Sequence, residues 1–282
     1  MKGRSVADTH EVYPNAPLAL VAVEVRFPNS AGTRPLPMNL QRSFRDLLGE
    51  GWVIESQKIQ QVSVAVSAAG AVPQATSMLT IQRFTVRDRT LAVAITEESL
   101  TIEATRYRHY PEFRETVARA VAAAAEVLLP DGIVRVGMRY IDEVRVPDIA
   151  EEAPSAWQEW VDASLIAPEL GAMSDAGFVS TGWEGVAQYS TGPDKKLVLR
   201  YGPRAGYVVN PVGPLKRPAP PGPGPLFALD FDCFWEPPDI PEFDPGIIMN
   251  TCDQLRRPIR ALFDMLVTDK LLAEFTKEGP VG

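Results

Sequence analysis

The chain has little of the residue types on which metal centres and disulfide scaffolds depend. It contains two histidines, His10 and His109, and two cysteines, Cys233 and Cys252, in 282 residues. A histidine-based metal site needs more ligands at suitable spacing, so we expect no metal and no cofactor. Two unpatterned cysteines do not form a disulfide framework, which favours a reducing compartment.

Common catalytic and phosphate-binding motifs are also missing. The sequence contains no Gly-x-Ser-x-Gly elbow, no Walker loop and no Gly-x-Gly-x-x-Gly after a strand. The nearest mimic of a phosphate loop, residues 192–196 (GPDKK), lies between two strand patterns and is interpreted as a hairpin turn. We therefore predict no catalytic residue and favour a protein that is not an enzyme.

Long hydrophobic runs and an excess of basic charge are absent as well. The longest helical apolar segment, Val117–Leu129, is interrupted by Arg119 and Glu126 and is too short to cross a bilayer. The first 18 residues contain no apolar stretch typical of a signal peptide. A net charge of -8 argues against nucleic acid or an anionic membrane as the main partner. We expect a cytoplasmic protein whose partner is another protein or a second copy of itself.

Strand and helix patterns occur in a similar order in both halves of the chain. Residues 17–131 and 132–282 are each interpreted as β-α-β-β-β-α, and each half ends in a long helix. Runs of consecutive strands favour an α+β fold with mainly antiparallel sheets. We predict two related lobes packed as one unit, preceded by a flexible arm at residues 1–16. The proline-rich loop 211–225 is expected to be exposed.

Individual elements follow from periodicity and from capping residues. Asp244 and Pro245 are typical of the start of a long helix, and Pro258 is expected to kink that helix. The predicted strands are 18–27, 61–67, 78–86, 91–95, 100–106, 133–146, 177–189, 195–209 and 227–235. The predicted helices are 39–48, 111–129, 154–163, 245–266 and 270–275.

Charged residues alternate with apolar ones on several predicted strands. In the strand 133–146, one face is apolar except for Asp142, and the other face carries most of the charged residues. The candidate ligand-binding residues are Glu24, Arg26, Arg135, Arg139, Glu143, Arg200, Asp230 and Asp232, with Glu103 on the same pattern. Two alternatives remain open. The charges either face solvent as cross-strand ion pairs, or they line a groove in which carboxylates hold metal ions and arginines hold a polyphosphate.

Aromatic residues offer a second candidate site. Four tryptophans and two tyrosines could form a ligand pocket, although core packing is the more common use of such residues. They are Trp157, Trp160, Trp183, Trp235, Tyr189 and Tyr207.

Three segments carry a resemblance to a known family. Residues Tyr13–Leu18 (YPNAPL) followed by Glu24–Phe27 (EVRF) form the first, and Arg135–Asp142 (RVGMRYID) forms the second. Leu262-Phe263, Thr268-Asp269 and Phe275 form the third. Together they resemble a sporadically distributed, uncharacterised prokaryotic family of about this length, whose central motif is R-x-G-x-R-Y-[IL]-[ND]. Asp142, where Asn is commoner, and the extended proline-rich loop are departures from that pattern.

The resemblance implies a two-lobed α+β protein without an assigned reaction. The patchy distribution of the family is similar to that of genes on mobile elements and in defence or toxin–antitoxin neighbourhoods. Our leading hypothesis is a non-enzymatic binding or accessory protein that holds a partner protein. The alternatives are a metal-dependent phosphohydrolase or nucleotide-binding protein that uses the charged strands, and an antitoxin or immunity component.

Overall fold

The architecture is taken from a computed structural model that describes most of the chain. For residues 57–67, 70–80 and Pro154 the description covers the backbone alone. The described residues are 13–28, 36–67, 70–147, 149, 154–167, 175–178, 180 and 182–277.

The strands of the described chain form one antiparallel sheet. Their order across the sheet is β2-β3-β4-β5-β1-β6-β9-β8-β7. The strands are β1 Leu18–Arg26, β2 Trp52–Ser67, β3 Gly70–Val86, β4 Leu91–Ile95, β5 Ser99–Ala104, β6 Arg135–Val144, β7 Gly185–Gly192, β8 Lys195–Gly206 and β9 Gly224–Trp235. The helices are α1 Met38–Leu48, α2 Tyr110–Val127, α3 Pro154–Trp157, α4 Pro245–Leu266 and α5 Asp269–Thr276.

The two halves of the chain meet at the centre of this sheet, where β1 pairs with β6. Outward from β1 the order is β5, β4, β3, β2, and outward from β6 it is β9, β8, β7. In each half the first strand therefore pairs with the last one. The first half has five strands, the number of strands predicted individually and one more than the β-α-β-β-β-α pattern contains. The boundary at residue 131 stays a prediction, because the sheet continues across it.

Alternation along the strands gives the sheet two different faces. Val21, Val23 and Val25 of β1 and Phe231 of β9 are buried in the same core as α2 and α4. We call this side the helix face. The side chains between them point to the other side, which we call the open face. None of the helices in the described residues has the length and apolarity that a membrane crossing requires.

The α+β class and most predicted elements are confirmed. β4 occupies the predicted residues, and α4 begins at Pro245 with Asp244 accepting a hydrogen bond from the Ile247 N–H at 2.9 Å. The Thr268 hydroxyl likewise accepts from Leu271 N–H, at 3.2 Å, where α5 begins. Both caps satisfy helix N–H groups that otherwise lack partners. Helix α4 continues through Pro258, and the kink stays a prediction.

Several predicted boundaries are wrong. The helix predicted at 154–163 is the single turn α3, because Val161 is extended and forms a β-bridge with Val267. The strand predicted at 177–189 begins only at Gly185. The hairpin β2–β3 is much longer than predicted and pairs from Trp52 opposite Val86 to its far end. The alternation of Val62, Val64 and Val66 predicted part of β2, whereas residues 70–77 of β3 are mostly small or polar and show no apolar alternation.

Two segments predicted to be loose are attached to the fold. Residues 1–12 of the predicted arm lie outside the described residues, but Asn15 donates its backbone N–H to the Phe275 carbonyl at 3.0 Å. In the proline-rich loop, Leu215 is buried and Lys216 N–H donates to the Arg89 carbonyl at 2.8 Å. The loop ends where β9 begins, at Gly224. Most of the loop is exposed or half-buried, and Leu215 is the buried exception.

Candidate functional site

The open face carries the charges that the sequence singles out. Strand register places them on neighbouring rows, with Glu103 opposite Ala22 and Ala22 opposite Arg139 on the other side. Arg139 in turn lies opposite Asp232 of β9. The same face holds Glu24, Arg26, Arg135, Glu143, Arg200 and Asp230.

Arg135 is the centre of one ion-pair network on this face. Its Nη1 donates to Glu24 Oε2 at 2.8 Å and its Nη2 to Asp232 Oδ1 at 3.0 Å. Its guanidinium carbon lies 4.5 Å from the centroid of the Phe234 ring. A Cβ at position 137 would overlap with the Arg135 guanidinium. Gly137 therefore leaves room for Arg135 to lie across the sheet, which accounts for a glycine two residues after this arginine.

Arg139 forms a second, two-pronged pair. Its Nε and Nη2 donate to the two carboxylate oxygens of Asp230, each at 2.7 Å. The hydrogen bonds from Asp230 raise the pKa of Arg139 above its ordinary value. Such a pair fixes both side chains in one geometry. Both carboxylate oxygens of Asp230 are therefore already hydrogen-bonded to an arginine.

Glu143 is buried and fixes the segment that follows β8. Its Oε1 accepts hydrogen bonds from the N–H groups of Val208 and Val209 at 2.8 and 2.9 Å, and its Oε2 accepts from Arg217 at 2.8 Å. Burial acts to raise the pKa of Glu143, but the Val209 and Arg217 hydrogen bonds outweigh it and hold that pKa below its ordinary value. Arg145 adds a fourth donor at 3.2 Å. Glu143 is an anchor of the connector.

The remaining candidates on the open face are more exposed. Arg26 pairs with Glu24 at 2.9 Å, and Glu103 lies 3.5 Å from Arg83. Arg200 forms no ion pair with another described residue. In the described part of the chain, no group of three or more His, Cys, Asp or Glu side chains is placed to hold a metal ion. The phosphohydrolase hypothesis stays a prediction, and most of the carboxylates that it would use are paired with arginines.

A cavity of about 580 Å³ lies on the opposite side of the sheet, the helix face. This volume is within the range of small-molecule sites, roughly 300–1,000 Å³. Three parts of the chain enclose it: residues 13–18, residues 105–110 between β5 and α2, and helix α4. Tyr140 and Asp142 of β6 also line it.

Tyrosines supply much of the polar lining of the cavity. The hydroxyl oxygens of Tyr107 and Tyr140 lie 3.4 Å apart, and their rings meet edge to face at 6.0 Å. Burial raises the pKa of both hydroxyls, so both remain neutral at ordinary pH. Tyr110 donates its hydroxyl to Asp253 at 2.7 Å. Tyr107 and Tyr140 therefore present neutral hydroxyls and ring surface to the same space.

Arginines of α4 line another wall. Arg256 and Arg260 are four residues apart and therefore lie on the same side of the helix. Arg260 donates to Asp264 and to the Tyr13 hydroxyl, both at 2.9 Å. The guanidinium of Arg256 lies 4.8 Å from the Tyr110 ring centroid, and no carboxylate of a described residue pairs with it. Among the described residues, Arg256 is thus a cation without an ion-pair partner.

Asp142 is the most unusual side chain of the cavity. The residue is 5% exposed, and its carboxyl forms no hydrogen bond or ion pair with another described residue. Burial, with a contribution from the nearby Asp230 carboxylate, raises the pKa of Asp142 to about 8. At pH 7 it is mostly a neutral acid with one O–H to donate. Because the carboxyl faces the cavity and no described residue pairs with it, it is available to a bound molecule or to water.

The sequence does not reveal the cavity. One signal was present, because Asp142 interrupts an otherwise apolar stripe of its strand. The other walls come from segments far apart in the chain, and no pattern connects them. His109 lines the cavity and also caps α2, where its Nδ1 accepts the Glu112 N–H at 3.2 Å. Of the predicted aromatic set, Trp157 and Trp160 are buried in the core.

Comparison with known proteins does not assign the chain to a family. No protein-family model matches it, and no curated protein matches it. The resemblance to the uncharacterised prokaryotic family therefore stays an expectation that rests on short motifs.

Proposed function

We propose that this chain is a non-enzymatic binding protein that holds a small molecule in the helix-face cavity. The observation that carries the proposal is the carboxyl of Asp142, which lies in a cavity of ligand size and has no hydrogen-bond or ion-pair partner among the described residues. A buried polar group without a partner costs about 1–3 kcal/mol. A ligand that supplies the partner recovers this energy on binding.

Ligand-observed NMR with a library of anionic, neutral and cationic compounds of metabolite size tests the proposal. Ala16 lines the cavity and is exposed, so Ala16→Trp should fill its entrance without disturbing the core. Met265→Trp is the matched control, because Met265 is 65% exposed on α4 and does not line the cavity. We expect compounds that bind the wild type and the control but lose binding to Ala16→Trp.

Two results contradict the proposal. The first is that no compound of the library binds the wild-type protein. The second is that the compounds bind the Ala16→Trp variant as tightly as the wild type. Their binding site would then lie outside the cavity.

A protein partner is the second candidate, and one observation favours it. β7 is an edge strand of the described sheet, and its Val186 and Tyr189 are 63% and 44% exposed. An edge strand offers unpaired N–H and C=O groups to a strand of another chain. Light scattering after gel filtration tests for a second copy: we expect a concentration-dependent dimer that Val186→Lys abolishes. A monomer at all concentrations contradicts self-association.

A partner encoded by a neighbouring gene, as in a defence or toxin–antitoxin pair, requires a separate test. Co-expression with that gene should suppress its toxicity if this chain neutralises the product. Unchanged toxicity contradicts the antitoxin or immunity hypothesis.

A further inference from the structure

We infer that the ligand of the cavity is an organic anion with a flat ring. Its charged group meets Arg256, its ring lies against Tyr107 and Tyr140, and an acceptor atom takes a hydrogen bond from the carboxylic acid of Asp142. The inference rests on the proposed function and narrows it to one ligand class.

The balance of charge around the cavity favours an anion. Arg106 is paired with Asp88 at 2.6 Å, and Arg260 with Asp264 at 2.9 Å. Arg256 and Arg108 also line the cavity, and neither forms an ion pair with another described residue. Within the described part of the chain, two cations of the lining therefore have no counter-ion. A cationic ligand would face these guanidinium groups, whereas a phosphate or a carboxylate would neutralise them.

Helix α2 adds to this preference. It begins at the cavity with Tyr110, has a proline in its first turn and continues for 18 residues. The N-terminal end of a helix carries a partial positive charge, which stabilises an anion near it. This end alone would not define a site. It acts together with Arg256, which lies over the Tyr110 ring.

The remaining walls suit a ring. Tyr107 and Tyr140 stand edge to face at an interplanar angle of 83°, and Phe231 and Phe263 also line the cavity. Aromatic walls of this kind pack against flat apolar groups. A purely inorganic anion would leave this surface and the Asp142 carboxyl without contact. The combination therefore indicates an anion attached to an organic body.

Asp142 completes the recognition of the ligand. Its carboxyl lies on β6, whereas Arg256 lies on α4, and both line the cavity. A ligand that meets both carries a hydrogen-bond acceptor in addition to its anionic group. Compounds that have only one of these features should bind more weakly.

Matched pairs of probes test the ligand class by isothermal titration calorimetry. The pairs are adenosine monophosphate with adenosine, phenyl phosphate with phenol, and 4-hydroxybenzoate with 4-hydroxybenzamide. We expect at least one anion to bind about tenfold more tightly than its neutral partner, because a charge-assisted hydrogen bond contributes that much or more. Arg256→Gln should remove most of this difference and leave the neutral partner unchanged. Arg257→Gln is the control, since it removes the same charge from an exposed neighbour outside the lining.

The outcomes separate this inference from the proposed function. If neutral probes bind as tightly as anions, or if Arg257→Gln weakens binding as much as Arg256→Gln, the anion class is wrong. If no anion binds although the NMR library has compounds that Ala16→Trp displaces, the class is wrong and the cavity is still a binding site. If nothing binds in either experiment, both fail.

Discussion

Asp142 is a side chain whose burial opposes folding. An isolated carboxyl keeps its proton only below its pKa, which is 3.8 for the reference group and about 8 in this protein. Between these values the unfolded chain loses the proton and the folded chain retains it. The wild type is therefore progressively destabilised as pH rises from about 4 to about 8. Natural proteins accept such a cost mainly at functional sites.

Replacing Asp142 with Asn should stabilise the protein. Asn keeps the shape and cannot ionise, so the gain should be absent near pH 3.5 and should grow up to about pH 8. The pKa rises by roughly four units and one unit corresponds to about 1.4 kcal/mol, so we expect a gain on the order of 5 kcal/mol and a rise in Tm on the order of 10 °C at pH 8. Differential scanning calorimetry at several pH values measures this. Asp230→Asn is the control and should destabilise, because it breaks the pair with Arg139. A Tm difference that is independent of pH would contradict the assignment.

Gly137 is explained by space for the neighbouring arginine. Gly137→Ala places a methyl group where the Arg135 guanidinium lies, so Arg135 must leave Glu24 and Asp232. We expect a loss of about 1–3 kcal/mol in the free energy of unfolding, measured by urea denaturation. In an Arg135→Met background the same substitution should cost much less, since the clashing group is gone. Equal costs in the two backgrounds would show that the strand itself requires glycine.

Among the connecting elements, the segment from β8 to β9 depends on a single buried carboxylate. Glu143→Gln keeps one acceptor but removes the charge that Arg217 and Arg145 share. We expect a loss of about 3 kcal/mol, the cost of breaking a buried ion pair. Because the pKa of Glu143 is lowered by folding, its stabilisation exists above the reference value of 4.5 and is lost as pH falls through the lower folded value.

Two measurements check the Glu143 prediction. Urea denaturation at pH 7 and pH 3 should show that the difference between wild type and variant shrinks at the lower pH. Limited proteolysis should cleave the variant faster near residues 207–223. Unchanged cleavage would mean that the connector is held by other contacts, such as that of Lys216 with Arg89.

Elements with a strong local pattern could be predicted, and elements formed by distant contacts could not. β4 and the start of α4 follow from alternation and from an Asp-Pro cap that lie in the sequence itself. The extended residue Val161 is fixed by Val267, more than a hundred residues away, so a helix was predicted there instead. The cavity could not be predicted for the same reason, because Tyr13, Tyr107 and Arg256 come together only through the fold.

The molecule as a whole is organised around the pairing of β1 with β6. The two halves share this pairing and one core, so we expect them to unfold together. Val23 of β1 is fully buried, opposite Ile102 of the first half and Met138 of the second. Val23→Ala should lower the free energy of unfolding by about 2 kcal/mol through lost burial and a small cavity.

Tryptophan fluorescence can show whether this loss reaches the second half of the chain. Four of the five tryptophans, beginning with Trp157, lie after residue 132, whereas Val23 lies in the first half. In Val23→Ala the fluorescence transition and the circular-dichroism transition should shift together to lower temperature. Val53→Ala, at a position that is 36% exposed on β2, is the control and should change little. If the fluorescence transition stays in place while part of the circular-dichroism signal is lost earlier, the halves are independent units, because a shared sheet would have transmitted the change.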